Sequence, residues 1–168
     1  LLNFFLIFSH GIDGFAHSAE VLVGNSIGKK NKQSLNASIY STGKLSIYLM
    51  LFYILFFIFF SQDIIAFITS LEIVNVLSNR YMFYVYLIFV FATIAFWLDG
   101  VFIGAIKVKL LRNVMIIAGA AFFMLETVLL GGDNDGLWLS FLIFFSLRSL
   151  FLSIFLYKYL KDNKFVEN

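Results

Sequence analysis

Five stretches of mainly apolar residues, at about 2–27, 42–60, 81–105, 112–130 and 137–157, are separated by short polar segments. Each is close to the roughly 20 residues a helix needs to cross a hydrocarbon layer. The pattern therefore predicts an all-α, polytopic transmembrane helix bundle of five spans. The polar segments run from Gly28 to Asn36, Ser61 to Arg80, Ile106 to Leu111 and Gly131 to Gly136, followed by a tail over 158–168. Their basic residues alternate. Lys29, Lys30 and Lys32 mark the first, Arg80 alone the second, and Lys107, Lys109 and Arg112 the third. The fourth has none, and Lys158, Lys161 and Lys164 occupy the tail. Because cytoplasmic loops carry the Lys/Arg excess, the alternation predicts an outside amino end and a cytoplasmic carboxyl terminus.

Smaller signals fill in the connections. Asp63 to Thr69 sets Ile64, Ile65, Phe67 and Ile68 between polar flanks, which fits a short interfacial helix as well as an apolar loop. Ser70 ahead of Glu72 fits the cap and first turn of the next helix. Gly131 to Gly136 has the composition of a tight turn and is too short for a calcium-binding hand. The nearest approach to an internal repeat is Gly24 to Lys32 against Gly100 to Lys109, each a glycine-containing helix end running into lysines. The chain opens on Leu1 inside an apolar run, without the basic flank of a signal peptide. That is expected of a piece of a longer protein, and a true five-span protein stays open.

Composition fixes the solvent. Of the 168 residues 61% are apolar and 13% charged, against about 25% charged in ordinary soluble domains. A soluble globule of this size cannot bury so much, so the partner is a lipid bilayer and the location a cell membrane. A net charge of +2 is too small and dispersed for a nucleic-acid surface. Absence of Cys removes disulfides, thiolate catalysis and Cys-based zinc sites. His, Asp and Glu are left as the reactive inventory.

Ionisable groups inside a span cost free energy and usually face a cavity or a partner helix. In the first span His10, Asp13, His17 and Glu20 follow at intervals of three, four and three, which places all four within roughly an 80° sector of the helix. Gly24 shares that sector. Three readings fit this face: a satisfied polar seam between helices, a proton or cation relay lining a wet cavity, or a metal site on His10, Asp13 and His17. The relay leads, since no second ligand cluster stands elsewhere for a metal. Asp99 is the other carboxylate at membrane depth. It is either a coupling or substrate group, or the partner of a residue such as Arg148 that ties two helices together. Gly100 and Gly104 beside it make a GxxxG pair for close packing. Arg148, midway along the fifth span, and Glu126, near the outer end of the fourth, are assigned structural polar roles. Trp97, Trp138 and the tyrosines are mainly belt or core residues.

Two stretches together resemble the multidrug and toxic compound extrusion (MATE) family, in its DinF-like branch. They are Ile12 to Gly24 followed by Ile27-Gly28, and Leu98 to Ala105 followed by Arg112-Asn113; Gly136 to Phe141 with Arg148 is similar to the family's last helix. The resemblance implies that the five spans correspond to helices eight to twelve of a twelve-helix transporter, with the first six-helix bundle and helix seven lying outside this sequence. It implies part of a secondary antiporter, in a bacterial inner membrane, that exports small organic, often cationic, compounds in exchange for protons or sodium, with no cofactor and no enzymatic step. Asp13, Glu20 and Asp99 carry over as cavity or coupling carboxylates, with His10 and His17 beside them. Pro is absent, a departure from a family whose prolines bend helices during gating. The competing functions are an intramembrane metalloenzyme on the His10, Asp13 and His17 face, and a non-catalytic membrane scaffold or truncated remnant.

Overall fold

A computed structural model describes residues 1–129, 133–162 and 165. Its helices are α1 (Leu2–Gly28), α2 (Lys32–Ile68), α3 (Glu72–Gly104), α4 (Val108–Met124) and α5 (Asn134–Lys161), with a π-helical segment, Leu125–Leu129, prolonging α4. No strand occurs among the described residues. The fold is all-helical, as the apolar periodicity requires.

The boundaries differ from expectation mainly around the second connection. Residues 61–68 are the last two turns of α2 and not a separate interfacial helix, and only 69–71 interrupt the path to α3. The physical reason is local: 61–68 contain neither Gly nor Pro to break the helix, and Ser61 and Ile65 are buried, which gives those turns a packed face. Ser70 is not the cap. Leu71 holds that position, its amide bonded to the Thr69 hydroxyl at 3.2 Å, while Glu72 opens the first turn as expected. Of the Gly131 to Gly136 turn, Gly131 and Gly132 lie outside the described residues; Asp133 caps α5 by accepting from the Gly136 amide at 2.7 Å.

Four helical stretches among the described residues are long and apolar enough to cross a membrane: α2, α3, 108–127 and α5. At 27 residues α1 has the length but not the apolarity, because its ionisable face lowers the mean hydropathy. Ring contacts set the directions. Phe4 stacks on Phe57 at 4.7 Å and Phe8 meets Tyr53 at 5.6 Å, so α2 runs back along α1. Tyr81 meets Trp138, Phe96 meets Phe145 and Phe102 meets Tyr159, so α3 and α5 run parallel. The central helix is α3, which packs against α1, α2 and α5, whereas α4 lies at the periphery, mainly against α5. The core falls into two clusters along the bundle, one around Phe8, Phe57 and Phe89, the other around Val23, Leu98, Phe102 and Leu152.

With α1, α3 and α5 pointing the same way, their carboxyl ends share one end of the bundle. That end is basic, because it carries Lys29, Lys30 and Lys32, Lys107, Lys109 and Arg112, and Lys158 and Lys161. The two tight turns there are built alike. After α1 the Asn31 amide reaches back to the Ser26 carbonyl, and after α3 the Lys107 amide reaches back to Phe102, the six-residue closure of a Schellman end. In each the preceding residue takes a positive φ, 51° at Lys30 and 58° at Ile106. Thus the faint similarity of Gly24 to Lys32 and Gly100 to Lys109 corresponds to one shared turn. Lys30 tolerates that backbone better than Ile106, whose branched side chain crowds it.

Candidate polar site in the bundle

The site is organised by a close helix crossing. Gly100 and Gly104 of α3 lie against the backbone of Ala16 and Glu20 of α1, so close that a Cβ on either glycine would overlap a carbonyl oxygen. Gly24 completes the ridge, where a Cβ would stand 3.3 Å from the Gly104 oxygen. Small residues at membrane crossings allow this kind of backbone approach. The GxxxG pair is therefore used for packing, while Gly14, at the margin of the polar sector, has open space around it.

The crossing fixes which side of α1 remains uncovered. Its buried stripe is Phe4, Phe8, Ile12, Ala19 and Val23, and the sector of His10, Asp13, His17 and Glu20 is turned away from it. Asp13 and Glu20 stand half-buried at the margin; His10 and His17 are exposed. His17 Nδ1 lies 3.6 Å from Glu20 Oε2, and His10 Nδ1 lies 2.6 Å from the Leu6 carbonyl. The expected single polar face exists. Among the described residues no three of His, Asp and Glu come together as a metal ion would require. The spacing explains this, since His10 to His17 extends about 10 Å along the helix and His10 is engaged by its own backbone.

Asp99 has the helix-tying partner considered for it. Arg148 Nη2 donates to Asp99 Oδ2, with the Arg148 side chain 5% and the Asp99 side chain 23% exposed. The guanidinium also lies 5.3–5.7 Å from the ring centres of Phe96, Phe144 and Phe145, a cation-π enclosure that holds it between α3 and α5. The structure thus pairs Asp99 with Arg148, and leaves His10, Asp13, His17 and Glu20 on the face of α1. Glu126 takes no part: it sits in the π-helical segment with Oε2 buried and unpartnered by any described group.

Trp97 is more than a belt residue. Its Nε1 donates to Thr42 Oγ1 at 3.1 Å, and its ring covers Gly43, where a Cβ would come within 2.7 Å. This α2–α3 tie had little trace in the sequence, because Thr42 and Gly43 lie in the half of α2 that also carries Ser34, Ser38, Ser41 and Ser46. The aromatic enclosure of Arg148 had none that distinguishes it, because Phe is everywhere in the chain.

Residues 1–130 match the MatE family. The chain belongs to the MatE family. A relative is DNA damage-inducible protein F of Escherichia coli (strain K12), 29% identical over 157 residues that cover 91% of this chain and 33% of that protein. The chain thus spans about a third of the length of the relative it matches. No solved structure matches it significantly. Membership of MatE accords with the apolar helices of membrane-spanning length.

Proposed function

We propose that this chain forms part of a secondary antiporter that exports small organic, often cationic, compounds in exchange for protons or sodium. The observation that carries the reading is the α1 face: four ionisable groups on one side of a membrane-length helix, His10 and His17 exposed and Asp13 and Glu20 half-buried at the margin. Such a face is costly in lipid and pays its way when it lines an aqueous cavity. In the complete protein a further bundle, of which the resemblance speaks, meets α1 across that cavity, and the basic end of this bundle lies in the cytoplasm.

The mechanism needs little beyond competition. A lipophilic cation and a coupling ion both seek negative charge at Asp13 and Glu20, so binding of one weakens the other, and a transporter that alternates access converts this into exchange. His17 stands beside Glu20, its Nδ1 3.6 Å from Glu20 Oε2. Asp99 serves a cation only when Arg148 releases it; while paired, it ties α3 to α5. The test is drug-driven proton or sodium exchange in liposomes containing the complete protein, with Asp13→Asn, Glu20→Gln and Asp99→Asn. Loss of coupling is expected in the α1 variants. Unchanged coupling in all three overturns the assignment.

A further inference from the structure

A crevice of about 270 Å³ opens between α3, α4 and α5 at the basic end of the bundle. Its walls are mostly aliphatic, among them Ile103 of α3, Val108, Leu111 and Met115 of α4, and Leu152 of α5. Arg112 stands on the same face of α4, and the Asp99–Arg148 pair closes the floor. From Val108 to Met115 the wall extends about 10 Å along α4.

The mouth has unspent positive charge. Among the described residues Arg112 bonds only to the amide oxygen of its neighbour Asn113, at 3.3 and 3.4 Å. Lys109 lies one turn before it on the same helix face. Among the described residues no carboxylate stands within salt-bridge distance of either. The floor pair is internally neutralised, so it neither attracts nor repels a tail lying over it. The crevice is consequently amphipathic in the order of a phospholipid, with cations at the membrane surface and an aliphatic slot running inward beside a peripheral helix. Basic pockets between transmembrane helices have this logic for anionic headgroups.

We propose that this crevice binds an anionic phospholipid, its phosphate held by Arg112 and Lys109 and one acyl chain lying against Ile103, Met115 and Leu152. The occupant bridges α3 and α4, which touch each other little in the bundle, and it covers the Asp99–Arg148 pair from the lipid side. The site is separate from the exchange carboxylates of α1.

Native mass spectrometry of the complete protein in detergent, titrated with phosphatidylglycerol or phosphatidylcholine, tests this. Phosphatidylglycerol is expected to bind more tightly, and Arg112→Gln with Lys109→Gln to weaken it about fivefold per charge while weakening the zwitterionic phosphatidylcholine less. Met115→Trp, which fills the slot without touching the cations, is expected to weaken phosphatidylglycerol as well. Equal binding of the two lipids, or unchanged phosphatidylglycerol binding in both variants, overturns the proposal. Displacement of the lipid by millimolar inorganic phosphate overturns it too, because the site then belongs to a free anion. Thermal unfolding with and without phosphatidylglycerol provides a second reading, with a rise in Tm for the unaltered protein that Met115→Trp abolishes.

Discussion

Asp99 and Asp13 are the same residue in neighbouring helices, and the structure treats them oppositely. Asp99 is joined to a nearly buried Arg148, which three aromatic rings enclose. Asp13 stands at the edge of a polar face with no counter-charge within salt-bridge distance among the described residues. The difference follows from what packs where. Parallel α3 and α5 bring an arginine to Asp99, whereas the glycine crossing with α3 engages α1 at Ala16, Glu20 and Gly24 and brings no cation to Asp13. A carboxylate that is already satisfied contributes to architecture, and one left open can be exchanged. Where a charge lies relative to a close crossing therefore sorts structural from exchangeable acids within one bundle.

Removing one side of the locked pair has the largest expected effect. Arg148→Met leaves Asp99 without its counter-charge, and breaking a buried pair costs about 3–5 kcal/mol. Arg148→Met combined with Asp99→Leu recovers most of that, because neither charge is left stranded. Thermal unfolding of the purified complete protein measures both. A single variant as stable as the parent would erase the contrast with Asp13.

The glycine crossing between α1 and α3 is tested next. Gly100→Ala forces a Cβ into the Ala16 carbonyl and is expected to cost about 1–3 kcal/mol through overpacking. Gly14→Ala meets nothing within 4 Å and is expected to gain up to about 1 kcal/mol from helix propensity. Opposite signs for two Gly→Ala changes near the same polar sector would locate the close contact on α3. Equal signs would remove the crossing as the cause of the asymmetry.

An exposed ion pair sharpens what burial contributes. Arg80 and Asp135 meet at 2.9 Å, but their side chains are 63% and 49% exposed. Arg80→Ala is expected to cost about 0.2–1 kcal/mol, as surface pairs do. Tm would shift far less than for Arg148→Met, although the two pairs join the same helices, α3 and α5.

The sequence carried the helices well, because apolar runs of membrane length leave few alternatives, and the alternating lysines anticipated the shared direction of α1, α3 and α5. Residues 61–71 were less legible, since an apolar run with polar flanks has the same composition as a helix end or a surface helix. The four-residue face of α1 was visible from spacing alone, as helical geometry is local. The fate of Asp99 was not, because pairing with a residue 49 positions away depends on which helices become neighbours. Gly100 and Gly104 were visible as a motif, but only packing shows that they press on Ala16 and Glu20. The Arg148 enclosure was hidden for another reason: in a chain with 23 Phe, no single Phe announces a contact.

The smallest expected change in stability is also the most informative about the open face. Asp13→Asn and Glu20→Gln keep shape and remove charge from side chains that are partly exposed and form no carboxylate–guanidinium pair. Substitutions away from packed or paired groups usually stay within about 0.5 kcal/mol, so unfolding of both variants should overlay that of the parent. Glu20 has one local contact to lose, the 3.6 Å approach of His17. If Asp13→Asn instead destabilised as strongly as Arg148→Met, Asp13 would be as locked as Asp99, and the distinction between architectural and exchangeable acids would collapse.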